Sequence, residues 1–507
     1  MVCFAAMRSL SRRIGIALAF WTLLIEHGTA KAQTRDLDLV LAGGRVMDPE
    51  TGLDAQRNVG IRGDRIVEIS SQPLRGKTVV EVPGLVVAPG FIDPHAHGQT
   101  NESHRFQAHD GVTTALELES GRPFLRKWLE TKEGKTLINY GATMAHGALR
   151  WMAMEKYRDV AREARAIVET DGFDHPRLRE VLGEGFSARY ESLTTAELEA
   201  MGEGLSAELA DGALGIGVPV GYYPGATREE IFRVYQLAAK MKTPVYTHVR
   251  DPNLAAIQEA IANAAAAGAS VHIVHLNSMA LGRIGVALDM VGSAQKQGLD
   301  ITTELYPYTA GSTSLESTLF DEGWQEVWGM DYGDIQWEAT GERLTKETFE
   351  KYRKEGGTVI IHMMKEEWID QGLKAPFTMI GSDGMPYHPK AHPRSAGTYS
   401  RVLGRYVRER KALPLMDALA KMSLMPAQRL ESMAPAMRTK GRLQVGCDAD
   451  ITVFDPETVL DTATFEGGLS ESRGIHHVLV NGTFVVRDAQ SVPGVYPGRA
   501  VLGKYRR

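Results

Sequence analysis

The chain has 507 residues, 24% charged and 43% apolar, with a formal net charge of −6 and a mean hydropathy of −0.21. That length is too great for one small core and suits a barrel-sized domain with a satellite. An acidic chain without a basic stripe argues against nucleic acid as a partner, and two cysteines, Cys3 and Cys447, exclude a disulfide scaffold.

The N-terminus reads MRSLSRRIGIALAFWTLLIEHGTAKAQ. Arg8, Arg12 and Arg13 form a basic stretch, Ile14 to Ile25 an apolar one, and Ala30-Lys31-Ala32 a small-residue cleavage site. Residues 1–32 are therefore expected to be a leader removed on export to the periplasm or beyond, and the paired arginines also permit the twin-arginine route. Cleavage would take the net charge to −9 and leave Cys447 as the one cysteine, read here as structural. No run elsewhere approaches the ~18 apolar residues of a membrane span.

Residues 33–86 carry short β-rich pieces broken by Gly, Asp and Pro, such as LDLVLAGGRVMD and NVGIRGDRIVEIS. Residues 441–507 repeat that texture in GRLQVGCDADITVFD and HHVLVNGTFVVRD. Two such flanks predict one small β-sandwich domain built from both chain ends. Between them, residues 87–440 alternate strand-like and helical segments. The strand candidates are LVVAPGFIDPHAH, VTTALELES, NYGATMAHG, ALGIGVPV, TPVYTHVRD, VHIVHLNS, DITTELYPYT and FTMIGSDG. Of the helices, TREEIFRVYQLAAKM places Ile231, Val234, Tyr235 and Ala238 at helical spacing behind a Thr227–Glu230 capping box. Eight strands alternating with helices predict an α/β fold, a TIM-like (β/α)8 barrel. Residues 313–370 are too long for an ordinary connection and read as a partly helical insertion or lid.

Barrel chemistry sits at the C-terminal ends of the strands. There the sequence places His95 and His97 on the first strand, Glu117 and Glu119 on the second, His248 on the fifth, His275 on the sixth and Asp383 on the eighth. His95 and His97 are two apart, so both imidazoles leave one face of the strand. One histidine alone reads as a bonded core or surface residue, and Asp383 alone as a turn residue in SDG. Together, imidazoles and carboxylates at the ends of separate strands suit Zn2+ or a similar divalent ion with an open position for water.

GFIDPHAH, YTHV, VHLN and GSDG resemble the metal-dependent amidohydrolase superfamily over residues 37 to 500. YPYTAGST and HPRSAGTYSRVLGRYVRERKALPLMDALAKMSLMPAQRL look like its D-aminoacylase (N-acyl-D-amino-acid deacylase) group. The resemblance implies that His95 and His97, with Asp383, hold one metal, and that His248 and His275 hold another. It implies that Asp383 also moves a proton from water to the departing amine. Tyr306, Ser312 and Arg394 match positions that bind a substrate carboxylate, and Tyr222 matches a tyrosine near the scissile carbonyl.

Two departures matter. The group carries a metal-binding cysteine just after the second strand, where this chain has LELES and Ser120. Glu119 or Glu117 could bridge two ions there, and Glu119 is the favoured ligand. The group also carries a lysine two residues after the sixth-strand histidine, where this chain has Asn277. His146 is expected to line the pocket or orient a ligand, and His392 to position Arg394. The remaining histidine groups (His104 and His109, His388, His476 and His477) read as bland.

These readings point to a hydrolase of N-acyl amino acids, D-enantiomers among them, with one or two divalent ions. The substrate is a small molecule carrying a carboxylate, and neither nucleic acid nor a membrane span enters after leader removal. The same metal site could serve a dipeptide, cyclic amide, carbamate or ester. A non-catalytic scaffold would be expected to have lost ligands. The sequence leaves the oligomeric state open.

Overall fold

The computed structural model describes residues 37–507, so the expected leader lies outside the described residues. All eight predicted barrel strands form: Phe91–Asp93, Val112–Arg122, Asn139–Ala145, Ile216–Pro219, Val245–His248, Val271–Ile273, Ile301–Leu305 and Thr378–Ile380. They pair in parallel and in chain order. The first and eighth strands meet just beyond their ends. Asp383 N donates to His95 O at 2.8 Å, His97 N donates to Gly384 O at 2.8 Å, and the Ser382 hydroxyl donates to Asp93 Oδ2 at 2.5 Å. The seam that closes the barrel is thus made by His95, His97 and Asp383 of the predicted site and by their immediate neighbours.

Helices cover the outside of the strands for the reason their sequences give. In Arg228–Met241, Ile231, Val234, Tyr235 and Ala238 are buried, and the Thr227 side chain accepts from Glu230 N. Two insertions depart from plain barrel geometry. The first follows the third strand and runs through helices His146–Ala153, Arg158–Thr170, Pro176–Glu184 and Thr195–Ala210. The second is the expected 313–370 segment. It has the predicted helical turns, but its frame is a three-stranded antiparallel sheet of Ala310–Ser314, Thr358–His362 and Ile335–Trp337. Strands of three to five residues show too little alternation to be read from sequence. Phe320, Trp324, Trp328, Trp337 and Phe349 give this lid its own core.

Both chain ends contribute to one nine-stranded sheet. Val86–Pro89 pairs antiparallel with Ile451–Phe454 and parallel with Leu37–Asp48, joining the two halves. Leu41, Val59, Ile61 and Val87 from the N-terminal side pack with Ile451, Val453 and Leu479 from the C-terminal side, and Cys447 is a buried free thiol. The tail leaves this sheet. Tyr140 N donates to Arg499 O, Val501 N donates to Tyr140 O, and Gly503 N donates to Gly212 O. Residues near 500, expected within the β domain, therefore lie along the barrel, where Val501 is buried.

Candidate active site

Six side chains converge at the C-terminal mouth of the barrel. Glu119, on the second strand, stands between two histidine pairs. Its Oε2 lies 3.3 Å from His95 Nε2 and 3.2 Å from His97 Nε2. Its Oε1 lies 2.8 Å from His248 Nδ1 and 3.2 Å from His275 Nε2. Asp383 Oδ1 faces the first pair at 3.4 Å from His95 and 3.3 Å from His97. Their potential ligand atoms form three overlapping groups, each spanning no more than 4.8 Å. His275 and Asp383 both have left-handed backbone, φ 32° and 51°. Asp383 is thus both the turn residue its sequence suggests and a member of the cluster.

Three of the four rings are oriented from behind. His95 Nδ1 lies 2.5 Å from Glu304 Oε1, His97 Nδ1 2.9 Å from Glu117 Oε2, and His275 Nδ1 3.1 Å from Ser278 Oγ. Such contacts fix the tautomer and aim the opposite nitrogen at the cluster. They also separate the two glutamates: Glu119 faces all four histidines, while Glu117 reaches only the far side of His97. Glu304, on the seventh strand, was not singled out from ITTEL. Its other oxygen lies 3.0 Å from His272 Nε2. Burial would push Glu304 up, but His95 and His272 outweigh it and hold the carboxyl at about 2. Burial likewise opposes ionisation of Asp383, and Arg394 and His95 overcome it, holding Asp383 well below the usual carboxylate range.

The cluster floors a cavity of about 380 Å³. Arg394 lines it, 1% exposed. Its Nη1 is 2.9 Å from Asp383 Oδ2, its Nη2 donates to Ser312 O at 3.3 Å, and its guanidinium lies 4.6 Å from the Tyr306 ring centre. As expected, His392 positions it, accepting from Arg394 N at 3.0 Å. Tyr306, Ser312 and Tyr222 also line the cavity. Tyr222 packs edge-on to His248 at 4.9 Å, with its hydroxyl 3.1 Å from Thr313 Oγ1.

Two expectations are corrected. Asn277 does not line the cavity: it is fully buried beneath it, its amide donating to Tyr306 O at 3.0 Å. It braces the tyrosine rather than meeting a ligand. His146 is also buried away from the cavity, where it pairs with Glu230 at 3.1 Å. Conversely, Arg122 and Arg189 line the cavity without having been singled out.

The donor set fits a divalent ion. Four imidazoles and two carboxylates bring their ring nitrogens and carboxylate oxygens together in three overlapping groups, the donor chemistry that zinc or a similar divalent ion takes.

Comparison with known proteins agrees with this geometry. The amidohydrolase family model matches residues 78–486. The D-aminoacylase of Alcaligenes xylosoxydans xylosoxydans is 31% identical, covering 93% of this chain and 99% of that protein. The N-acyl-D-glutamate deacylase of the same organism is 30% identical, covering 91% and 96%. The crystal structure of N-acyl-D-glutamate deacylase from Bordetella bronchiseptica, complexed with zinc and a phosphonate mimic of the tetrahedral intermediate, superposes with a TM-score of 0.76. It is 26% identical, covering 92% of this chain and all of that one. The chain belongs to the amidohydrolase family, within its D-aminoacylase-like group.

Proposed function

We propose that the protein hydrolyses the amide bond of N-acyl amino acids, D-enantiomers first among them, with one or two zinc or similar divalent ions. The observation that carries this reading is the Glu119 carboxylate set between two histidine pairs, with Asp383 bound to Arg394 beside it. His95, His97, Glu119, His248, His275 and Asp383 would hold the metal. Bound there, it supplies polarisation of the scissile carbonyl and a lowered pKa for water.

The remaining work falls to the protein. Arg394, with Tyr306 and Ser312 beside it, holds the substrate carboxylate on the Asp383 flank, a contact a guanidinium can make with two parallel bonds. Asp383 Oδ1 takes a proton from the attacking water and delivers it to the departing nitrogen as the C–N bond breaks, releasing a carboxylate and an amine. Burial pushes the Tyr222 phenol above its usual range, so its hydroxyl remains a donor for the oxyanion that develops on the carbonyl.

The direct test is metal analysis of the purified protein, followed by turnover of paired N-acyl-D- and N-acyl-L-amino acids. Absence of any bound divalent ion, with activity indifferent to chelators, would remove the hydrolase reading. Equal turnover of esters and amides lacking a free carboxylate would remove the role given to Arg394. We also propose export, supported by the basic, apolar and small-residue order of residues 8–32. Cell fractionation with N-terminal sequencing of the mature protein tests it, and an intact cytoplasmic chain would refute it.

A further inference from the structure

Three guanidiniums line the cavity. Two are matched by acids: Arg394 by Asp383 at 2.9 Å, and Arg122 by Glu117 at 3.6 Å. Among the described residues no carboxylate pairs with Arg189. Its guanidinium lies over the Phe186 ring at 3.5 Å and 5.9 Å from the Tyr223 ring centre. Stacking on Phe186 holds it in place, but leaves its hydrogen-bonding edge without a counter-charge.

Its place in the cavity says which half of a substrate it meets. Asp383 serves the departing nitrogen, so the amino-acid half lies on the Asp383–Arg394 flank. The acyl half then extends from the scissile carbon past Tyr222, which packs on His248 at 4.9 Å, toward Tyr223 and Arg189. Leu319 and Trp328 of the lid line the same cavity. The lid is fastened along this side, by Thr318 Oγ1 donating to Gly221 O at 3.3 Å and by the Tyr190 hydroxyl on Asp321 Oδ1 at 3.1 Å. Arg189 therefore shares the cavity lining with Tyr222, packed on the cluster's His248, and with Tyr223, whose ring centre lies 5.9 Å from the guanidinium. Aliphatic and ring surface would take the methylenes of an acyl chain, and the guanidinium would take a charge at its end.

We propose that Arg189 is a specificity-determining residue that receives the terminal carboxylate of a dicarboxylic acyl group, making N-succinyl or N-glutaryl amino acids the preferred substrates. The proposal rests on the amide-hydrolase reading. Hydrolysis would release the dicarboxylate and the free amino acid, the water proton passing to the amine.

The test compares kcat/KM for N-succinyl-D-leucine with that for its neutral analogue, in which the terminal carboxylate is an amide, and with N-acetyl-D-leucine as reference. The wild-type enzyme is expected to prefer the charged acyl group by roughly 10- to 100-fold, the range for a hydrogen bond to a charged group. Arg189→Met should remove most of that preference, and Arg189→Lys should keep part of it. An unchanged preference in Arg189→Met would overturn the assignment. So would a loss confined to N-acetyl-D-glutamate relative to N-acetyl-D-glutamine, which would put the second anion on the amino-acid half. Turnover of N-acetyl-D-leucine without any preference for acyl charge would sink this assignment alone. No turnover of any N-acyl amino acid by the metal-loaded enzyme would sink the hydrolase reading and this assignment together.

Discussion

Charge is buried at both ends of the barrel, on different terms. Where the strands begin, Lys440 Nζ lies 2.8 Å from Asp448 Oδ2 and 2.6 Å from Asp450 Oδ2. Asp450 also accepts from Asn139 Nδ2 at 3.0 Å and from Asn481 N at 2.6 Å, and Asn481 Nδ2 returns to Asn139 Oδ1 at 2.8 Å. This knot ties the third barrel strand to the β domain. Where the strands end, five other potential ligands crowd around Glu119, and among the described residues His248 Nε2 and Arg394 Nε find no hydrogen-bond partner. A buried polar group without a partner costs roughly 1–3 kcal/mol. The basal knot sets carboxylates against cations, Lys440 and Arg65, whereas the cluster at the mouth sets carboxylates among imidazoles in the grouping that holds a metal ion. Burial of charge alone therefore does not mark a functional site; a metal-ligand grouping at the floor of a cavity does.

The comparison is broken most severely at the mouth. Asp383→Asn keeps the size of the side chain and removes its basicity. It is expected to lower kcat by about 10²–10⁴-fold, the range for a positioned general base, while His95, His97, Glu119, His248 and His275 retain most of the metal. Steady-state kinetics with metal analysis on the same sample checks this, and near-normal turnover in the metal-loaded variant would refute the proton-transfer role.

The parts of this site that could be read from sequence are those carried by strand ends. His95, His97, His248, His275 and Asp383 each close a strand-like run, and the barrel brings such ends together. From sequence, the choice of Glu119 over Glu117 rests only on its place beside the group's cysteine position, because residues two apart share a strand face. The third dimension decides it: the second strand breaks register with the third between Glu117 and Arg122, and Glu119 comes to lie over the cluster while Glu117 stands behind His97. Glu304 was hidden for a related reason. ITTEL has the alternation of any strand, and only closure of the barrel sets the seventh strand's carboxylate against the first strand's imidazole. Arg189 was hidden further still, since it comes from an insertion whose path over the mouth has no local signature.

At the base, Lys440→Met should leave metal content at the wild-type level but cost stability, since Asp450 would remain buried without its cation and Asp448 with Arg65 alone. Loss of one partner from a buried ion pair costs about 3–5 kcal/mol, readable as a lowered unfolding midpoint in denaturant. A variant that loses metal while keeping its stability would reverse the distinction drawn between the two ends. A smaller effect is expected behind the mouth cluster. Glu304→Gln keeps a hydrogen-bonding group near His95 but removes the charge, and should weaken metal affinity by about 10–100-fold, measured by competition with a chelator. Unchanged affinity would make Glu304 part of the barrel's packing only.

The gentlest probe is pH, and its sign follows from the direction in which folding moves Lys440. Burial disfavours the ammonium, but Asp450 and Asp448 outweigh it and raise its pKa. A raised pKa means that the folded state holds the proton more tightly, so the contribution is fully present below the ordinary lysine value of about 10.4. It is lost as pH rises through the folded value. Between pH 7 and 9.5 the stability difference between wild type and Lys440→Met should therefore stay constant, and above about 10.5 it should shrink. A difference that already varied near neutrality would mean that the knot's carboxylates, rather than its lysine, govern how this end of the barrel holds together.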